Sequence, residues 1–431
     1  MRTVTSSSAV CLAAWHCSVV DGSQRYATIA VARCVFAWYS TPDVPLHVLQ
    51  NTSDAMDATF LVVRELLQLM TAKRWLGDLC CECVLAVVRS SPVKTLERVL
   101  PAVLGTIPSD ASSCTLDHLH LAIGLVRSCH THMASWQKKA KKSKTGSVAA
   151  IVQRLQQFGQ LLTPEGLQRV LPSLMAATRT FPLVHSVWLH IMGALLGVDL
   201  AIVASNDDAD AASRIVNPGA GVQGASFAKF WKVAVEEGLM NSTHERRATA
   251  LVLLQTVAVS PAMSPALVRV LLSRRVFGVL RNNMGVRDNY LQQPARATVA
   301  VLHKVAEHDK EIAAELLSVF LGMGGPHFDA RTHTRTVATF QDALDDAALV
   351  SHSELLQRTF CDPLNATVLL GGDAEDAPAD DAEAARVVAS KRVWALDGIA
   401  ACCRSAVGSA SYVDNHPRVG VCGPAQRLMR V

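Results

Sequence analysis

Aromatic side chains are scarce in this sequence. They make up 5% of its 431 residues, although half of all residues are hydrophobic. The apolar mass therefore consists mainly of alanine, valine and leucine, which suit stacked helices better than the aromatic and β-branched strands of a β-sandwich. The chain is too long for one ordinary compact domain and long enough to bury a large core.

The sequence also lacks a strong charge of either sign and a regular cysteine framework. The formal net charge is +4, which permits contact with nucleic acid but does not require it. The 12 cysteines follow no disulfide spacing and occur in clusters such as Cys80–Cys83, so we expect reduced thiols in the cytosol or nucleus. Residues 1–20 contain one arginine and an apolar patch broken by His16, which makes a poor signal peptide.

Long apolar runs are almost absent as well. The stretch 187–204 comes closest to a membrane span, but it contains His190 and Asp199. An aspartate near the centre of a span costs roughly 2.5–3.5 kcal/mol. We therefore expect a buried core helix here and no association with a membrane.

Apolar residues recur with helical period along most of the chain. In one segment Leu167, Val170, Leu171, Leu174 and Met175 follow the i, i+3, i+4, i+7, i+8 pattern of one helix face. Hydroxyl–proline pairs that suit helix starts recur, and no hairpin signal appears. About sixteen helices joined by short turns are expected. The pattern predicts an all-α, armadillo- or HEAT-like α-solenoid of paired helices.

Polar stretches interrupt this helical pattern and suggest five segments. The predicted segments are an N-terminal helical-repeat segment 1–204 with a basic loop at 137–147, a Gly/Asp-rich linker 205–224, a central helical-repeat segment 225–370, an acidic disordered insertion 371–383, and a C-terminal helix and tail 384–431. We expect the last segment to be truncated.

Two motifs in the linker imitate catalytic signatures. Residues 219–224 match a dinucleotide-binding fingerprint, but Asn217 and Pro218 precede them in place of the strand that the motif requires. Asp207 and Asp208 resemble the acidic pair of a nucleotidyl transferase, but such carboxylates need a rigid sheet to hold two metals. We therefore predict a solvated linker, no catalytic residue and no cofactor.

Cysteine and histidine are also grouped in one region. The candidate metal ligands there are Cys114, His118, His120, Cys129, His130 and His132. They lack the paired spacing of zinc fingers, and His118 and His120 would point to different faces of a helix. We expect a surface or interfacial histidine group and no metal site. Cys80–Cys83 and the tryptophans Trp75, Trp188, Trp231 and Trp394 are interpreted as core residues.

Basic residues are the remaining functional candidates. A run of lysines predicts a nuclear-import signal, with nucleic-acid contact and a solvated loop as alternatives; it comprises Lys138, Lys139, Lys141, Lys142 and Lys144. Arginines that a solenoid could align into a phosphate-binding stripe are Arg274, Arg275, Arg281, Arg287, Arg331 and Arg335, with Arg269, Arg296 and His333 nearby. The alternative is that these arginines pair with carboxylates such as Asp288, Glu307 and Asp309.

Six short fragments, in order over about residues 57–405, have a common resemblance. They are Lys73-Arg74-Trp75-Leu76; Phe181-Pro182 with His185-Ser186-Val187-Trp188; Phe230-Trp231 with Glu237 to Ser242 and Glu245-Arg246; Arg281-Asn282-Asn283 with Arg287 to Leu291; Phe328-Asp329 with Thr332 to Val337; and Arg392 to Asp397. Together they resemble the Myb-binding protein 1A / DNA polymerase phi family, also called DNA polymerase V. Gly77, Pro294 and Ala330 stand where that family has other residues.

The resemblance implies a nucleolar protein of armadillo-like fold that acts in ribosomal RNA gene transcription and ribosome biogenesis. It implies transcription factors and nucleolar proteins as partners, with DNA as a further partner, and no small-molecule substrate. Two alternatives are a cytosolic helical-repeat adaptor for protein–protein interaction and, as the family name suggests, a DNA-directed DNA polymerase. The absence of a carboxylate constellation on a predicted sheet favours the non-catalytic scaffold.

Overall fold

The computed structural model describes residues 53–73, 76–110, 113–142, 146–176, 184–198, 200, 227–285, 289–325, 328–363 and 381–413. In these residues all regular structure is helical: eighteen α-helices, one 3₁₀-helix and one π-helix, without a strand. The predicted all-α helical-repeat solenoid is thereby confirmed. The chain divides into two compact units, Met1–Phe230 and Trp231–Val431, so the boundary lies beyond the predicted linker, whose residues are outside the described part.

The first unit contains nine α-helices in its described residues. They are α1 (Ser53–Ala72), α2 (Gly77–Ser90), α3 (Val93–Thr106), α4 (Leu116–Ser128), α5 (His130–Lys142), α6 (Ser147–Gly159), α7 (Pro164–Ala176), α8 (Ser186–Leu196) and α9 (Phe227–Phe230), with a 3₁₀-helix, Gln160–Leu162, between α6 and α7.

Neighbouring helices of the first unit alternate between two rows, as paired repeats require. Helices α2, α4 and α8 lie side by side in one row, while α1, α3 and α6 form the other. The row of α2, α4 and α8 is apolar on nearly every side: in α2, for example, the residues from Cys83 to Val88 are all buried. Polar side chains on these three helices therefore either lie at the surface or require partners inside the core.

Local sequence signals account for the ends of these helices. Thr115 forms a capping box at the start of α4, because its hydroxyl accepts from the His118 N–H while His118 Nδ1 accepts from the Thr115 N–H. Helix α8 ends at Gly197, whose φ of 73° is a left-handed conformation that glycine adopts without steric cost. With 11 residues, α8 is a buried core helix as expected, and no described helix is long and apolar enough to span a membrane.

The second unit begins with a π-helix, Trp231–Leu239, and contains nine α-helices among its described residues. They are α10 (His244–Ala258), α11 (Pro265–Leu271), α12 (Arg274–Met284), α13 (Gln292–His308), α14 (Lys310–Gly324), α15 (Phe328–Thr332), α16 (Thr336–Asp342), α17 (Asp346–Cys361) and α18 (Asp381–Val413).

Helix α14 is central to the second unit, since it contacts α11, α13 and α16. Four phenylalanines from α12, α14, α15 and α16 meet there with ring centroids 5.0–5.5 Å apart. Edge-to-face pairs of this kind add stability beyond the area that they bury. Four of the nine aromatic residues between positions 231 and 431 thus meet at one junction.

Three predictions about individual segments can be compared with these helices. The expected basic loop at 137–147 is wrong for residues 137–142, which form the last turns of α5. Of the predicted insertion 371–383, residues 371–380 are outside the described part. Residues 381–383 form the start of α18, which begins at Asp381. Trp188 and Trp231 are buried as predicted, whereas Trp394 is only half-buried and Trp75 is outside the described part.

Candidate functional site

A cluster of ionisable side chains lies inside the row formed by α2, α4 and α8. Its members are Asp78 and Glu82 on α2, Asp117 and His120 on α4, and His185 and His190 at the start and in the middle of α8. The three histidine side chains are almost fully enclosed, with 0–2% of their surface exposed, and the Asp78 side chain is 30% exposed.

His120 lies at the centre of the cluster, between two carboxylates. Its Nε2 is 3.0 Å from Glu82 Oε1, in hydrogen-bonding geometry. Its Nδ1 is 2.9 Å from Asp78 Oδ1, which is a close charged neighbour but is not in hydrogen-bonding geometry. Burial by itself would lower the pKa of His120, but Asp78, Cys81 and Glu82 raise it well above its ordinary value.

His190 contributes the second hydrogen bond to Glu82, with its Nε2 2.9 Å from Oε1. Arg127 Nη1 lies 3.5 Å from His190 Nδ1 and can only donate, so Nδ1 accepts and Nε2 carries the proton. Burial lowers the pKa of His190, which keeps this ring neutral. Glu82 therefore accepts hydrogen bonds from two imidazole rings through one oxygen atom.

His185 caps α8 and connects two aspartates. Its Nδ1 accepts a 3.2 Å hydrogen bond from the Val187 N–H, and its Nε2 lies 3.2 Å from Asp117 Oδ1. Because Nδ1 acts as the acceptor, Nε2 carries the proton and donates to Asp117. The same Nδ1 atom is 3.3 Å from Asp78 Oδ1, so two atoms that both hold lone pairs face each other.

Both carboxylates on α2 remain ionised despite their surroundings. Burial would raise the pKa of Asp78, but His120, His185 and Ser186 lower it to about 2. The hydroxyl of Ser186 donates to Asp78 Oδ2 over 2.9 Å, and this orients the carboxylate. The pKa of Glu82 is likewise well below its usual range, because the rings of His120 and His190 outweigh the effect of burial. The cluster can therefore hold a proton or a cation inside the helical core.

Gly77 allows α2 to approach Asp117 on α4 closely. A Cβ atom at this position would lie 2.3 Å from Asp117 Oδ2, which is closer than real Cβ contacts. Any larger residue would displace the carboxylate that binds His185. A side chain at Gly77, one of the departures from the family pattern, would therefore force the Asp117 carboxylate to move.

Sequence reasoning found only one member of this cluster. The expected surface or interfacial histidine group is wrong for His120, which is completely buried. Its supposed companions are elsewhere: His118 caps α4, Cys114 contacts the carbonyls of Pro108 and Asp110, and Cys129 is a buried thiol. His185 and His190 were missed because they lie more than 60 residues further along the chain. One signal was available, namely two carboxylates one turn apart on an otherwise apolar helix.

The cysteines of α2 are core residues, as predicted. Cys80, Cys81 and Cys83 are buried, and burial raises the pKa of Cys81 and of Cys83 to about 12. Cys81 Sγ lies 3.5 Å from Met70 Sδ and 3.4 Å from the Asp117 carbonyl oxygen. Thiols with such values are not nucleophiles at neutral pH.

The predicted import lysines lie at the end of α5, away from the buried cluster. Lys138 and Lys141 are exposed, while Lys139 Nζ binds Glu97 on α3 over 2.7 Å. Lys142 ends the helix, and Lys144 is outside the described residues. Cations in the last turn also interact favourably with the helix dipole.

The candidate arginines of the second unit lie in different elements and have different partners. Arg274, Arg275 and Arg281 lie on α12, and Arg275 Nη1 donates to the Glu236 carbonyl over 3.4 Å. Arg331 donates to the Gly324 carbonyl, Arg335 precedes α16, and Arg287 is outside the described part.

The carboxylate pairing expected for these arginines is found for Arg269, with a partner other than those suggested. Arg269 binds Glu315 through two nitrogens, at 2.5 and 2.9 Å. Asp309 accepts backbone N–H groups at the start of α14 instead, and Asp288 is outside the described residues.

Comparison with known proteins places nearly all of the described part of the chain within one family. The family model described as DNA polymerase phi matches residues 46–412. No match was found among curated proteins or among solved structures. The match spans most of the 431 residues, and it agrees with the resemblance seen in six short fragments. The chain belongs to the DNA polymerase phi family.

Proposed function

We propose that this chain is a non-catalytic helical-repeat scaffold of the nucleus and nucleolus that acts in ribosomal RNA gene transcription and ribosome biogenesis. Its partners are transcription factors and nucleolar proteins, with DNA as a further partner through the exposed basic residues. Family membership supports the proposal, and so does the helical-repeat architecture, because stacked repeats present extended surfaces to other macromolecules.

One observation carries the non-catalytic part of the proposal. Both groups of potential metal ligands in the described residues belong to the buried cluster around His120, whose side chain has no exposed surface. A polymerase needs carboxylates that hold two metals against the attacking and leaving oxygens of its substrate. A primer terminus cannot reach a ring enclosed by α2, α4 and α8.

The catalytic alternative is tested with the full-length chain on a primed DNA template. We expect no nucleotide incorporation above a blank without protein, with Mg²⁺ or with Mn²⁺. Incorporation that co-purifies with the chain and disappears in Asp207→Ala or Asp208→Ala would establish the polymerase instead, with its carboxylates in 205–224.

The scaffold itself is tested by capture from nuclear extract, with and without nuclease. Partners that remain bound after nuclease treatment identify direct protein contacts, and partners released by nuclease indicate that nucleic acid bridges them. Recovery of cytosolic transport proteins alone, from whole-cell extract, would favour the cytosolic adaptor.

Nuclear import is tested by changing the five lysines of the predicted signal to alanine in a fluorescent fusion of the full chain. We expect the fusion to leave the nucleus. The matched control changes Lys94, Lys304 and Lys310, which are exposed and lie on other helices. If the five-lysine variant stays in the nucleus, the lysines are not an import signal and only form the solvated end of α5.

A further inference from the structure

We propose that Asp78 Oδ1, His120 Nδ1 and His185 Nδ1 bind one divalent transition-metal ion, zinc in the first place, which joins α2, α4 and the start of α8. This inference concerns the buried cluster alone and is independent of the partners proposed above. Carboxylate oxygen and imidazole nitrogen are ligands that zinc accepts.

The three atoms already have the separations of a ligand shell. Asp78 Oδ1 is 2.9 Å from His120 Nδ1 and 3.3 Å from His185 Nδ1, and all three lie within 4.8 Å of one another. Ligands bound to zinc at about 2.0–2.2 Å in a tetrahedral arrangement are themselves roughly 3–3.5 Å apart. Small adjustments of side chains would therefore admit the ion.

An unsatisfied buried atom points to a ligand at this position. His120 Nδ1 is fully enclosed and makes no hydrogen bond, although Asp78 Oδ1 is its near neighbour. Buried ring nitrogens are almost always satisfied, so an orphan of this kind requires an explanation. A divalent cation that displaces the proton from this nitrogen would bind both the ring and the carboxylate.

The surroundings of both histidines match those of metal-bound imidazoles. Such rings usually donate the proton of their other nitrogen to a carboxylate, which fixes the tautomer and makes the ligand more basic. His120 Nε2 faces Glu82 over 3.0 Å, and His185 Nε2 faces Asp117 over 3.2 Å. Ser186 holds the remaining oxygen of Asp78. Each of the three proposed ligands is thus oriented by a second group.

The neighbouring group formed by Glu82, His120 and His190 is a poorer candidate. Arg127 occupies His190 Nδ1, so His190 Nε2 carries a proton and donates it to Glu82. Ordinary hydrogen bonds already satisfy that group. In the proposed group, the ion would replace the 3.2 Å hydrogen bond from the Val187 N–H to His185 Nδ1.

Exposure of the ligands shows how an ion could enter the site. Asp78 is 30% exposed and offers a path from solvent, whereas the two histidines are enclosed. Three protein ligands leave a fourth position for water. The ion would link helices that lie in three successive positions of one row.

The experiment uses full-length protein without a histidine tag, purified without added metal and then treated with EDTA. Titration with Zn²⁺ is followed by calorimetry and by thermal unfolding. We expect one ion per chain and a rise in Tm of roughly 5–10 °C at 100-fold excess over Kd. With Co²⁺ we expect ligand-field absorption and no thiolate charge-transfer band, because Cys81 is not a ligand.

Two substitutions of the same kind locate the ion. His185→Gln should abolish binding, while the matched control His190→Gln should retain it. The reverse result would assign the ion to the Glu82 group and overturn the proposal. Should His185→Gln fail to fold, X-ray absorption of the zinc-loaded wild-type protein decides: a nitrogen/oxygen shell without sulfur is expected. Sulfur in that shell, or no stoichiometric binding by the wild-type chain, refutes the site.

Discussion

Glu82 is the residue on which the buried cluster depends most, and Glu82→Gln tests this directly. The substitution preserves shape but removes the charge that His120 and His190 face at 3.0 and 2.9 Å. A hydrogen bond to a charged group contributes about 1.5–3 kcal/mol, and removal of one member of a buried ion pair costs about 3–5 kcal/mol. Since the glutamine oxygen still accepts one hydrogen bond, we expect the first unit to lose about 3 kcal/mol.

The matched control is Glu97→Gln on the neighbouring helix α3. Glu97 binds Lys139 at 2.7 Å, but the Lys139 side chain is 57% exposed. Exposed pairs are screened by solvent, so this change should cost less than about 1 kcal/mol.

Both variants are measured by hydrogen exchange of peptides from α2, α4 and α8, with EDTA present to exclude bound metal. Peptides from α10, in the other unit, should exchange at an unchanged rate. If the cost of Glu82→Gln does not exceed that of Glu97→Gln, the cluster does not stabilise the unit, and the argument from its hydrogen bonds fails.

Three further substitutions have expected outcomes. Burial lowers the pKa of His352 from 6.5 to about 4. Its contribution to the free energy of unfolding is therefore fully present above pH 6.5 and falls by up to about 3 kcal/mol as the pH drops toward 4. In His352→Leu, hydrogen exchange in α17 should lose this pH dependence, and an unchanged profile would contradict the assignment. Gly77→Ala should cost about 1–3 kcal/mol by urea unfolding through its clash with Asp117, whereas Gly105→Ala, with open space around it, should be neutral or stabilising. Asp309→Ala removes the N-cap of α14, which accepts from Glu311 and Ile312, and should lower the unfolding free energy by about 1 kcal/mol; an unchanged midpoint would contradict this role.

Helical period and capping residues were sufficient to predict the fold class. The pattern of Leu167 to Met175 corresponds to α7, and Ser264-Pro265 starts α11 with the serine side chain accepting from the Leu267 N–H. These signals are local, because each depends on residues within one or two turns of a helix. The end of α5 was missed because the lysines of residues 138–142 are polar, although lysine is a good helix former and Lys139 has a partner on α3.

The candidate site could not be predicted in the same way, because its members come from distant parts of the chain. His120 and His190 are 70 positions apart in sequence, and their ring centroids are 4.7 Å apart in the fold. Their proximity follows from the order in which repeats stack, which no short motif encodes. The sequence does show Asp78 and Glu82 directly before an unbroken apolar run from Cys83 to Val88. That run is buried in the fold, and buried carboxylates require partners.

The position of the cluster explains why a core of alanine, valine and leucine contains such costly groups. Side chains of similar size and shape permit more than one register between neighbouring helices, since apolar contacts are not directional. Hydrogen bonds from His120 to Glu82 and from His185 to Asp117 form only when α2, α4 and α8 are correctly aligned. A half-satisfied network would be worse than an apolar core, because its unpaired groups would remain desolvated. The cluster therefore penalises misaligned stacking at the helices where successive repeats of the first unit meet, and an ion at Asp78, His120 and His185 would increase that penalty.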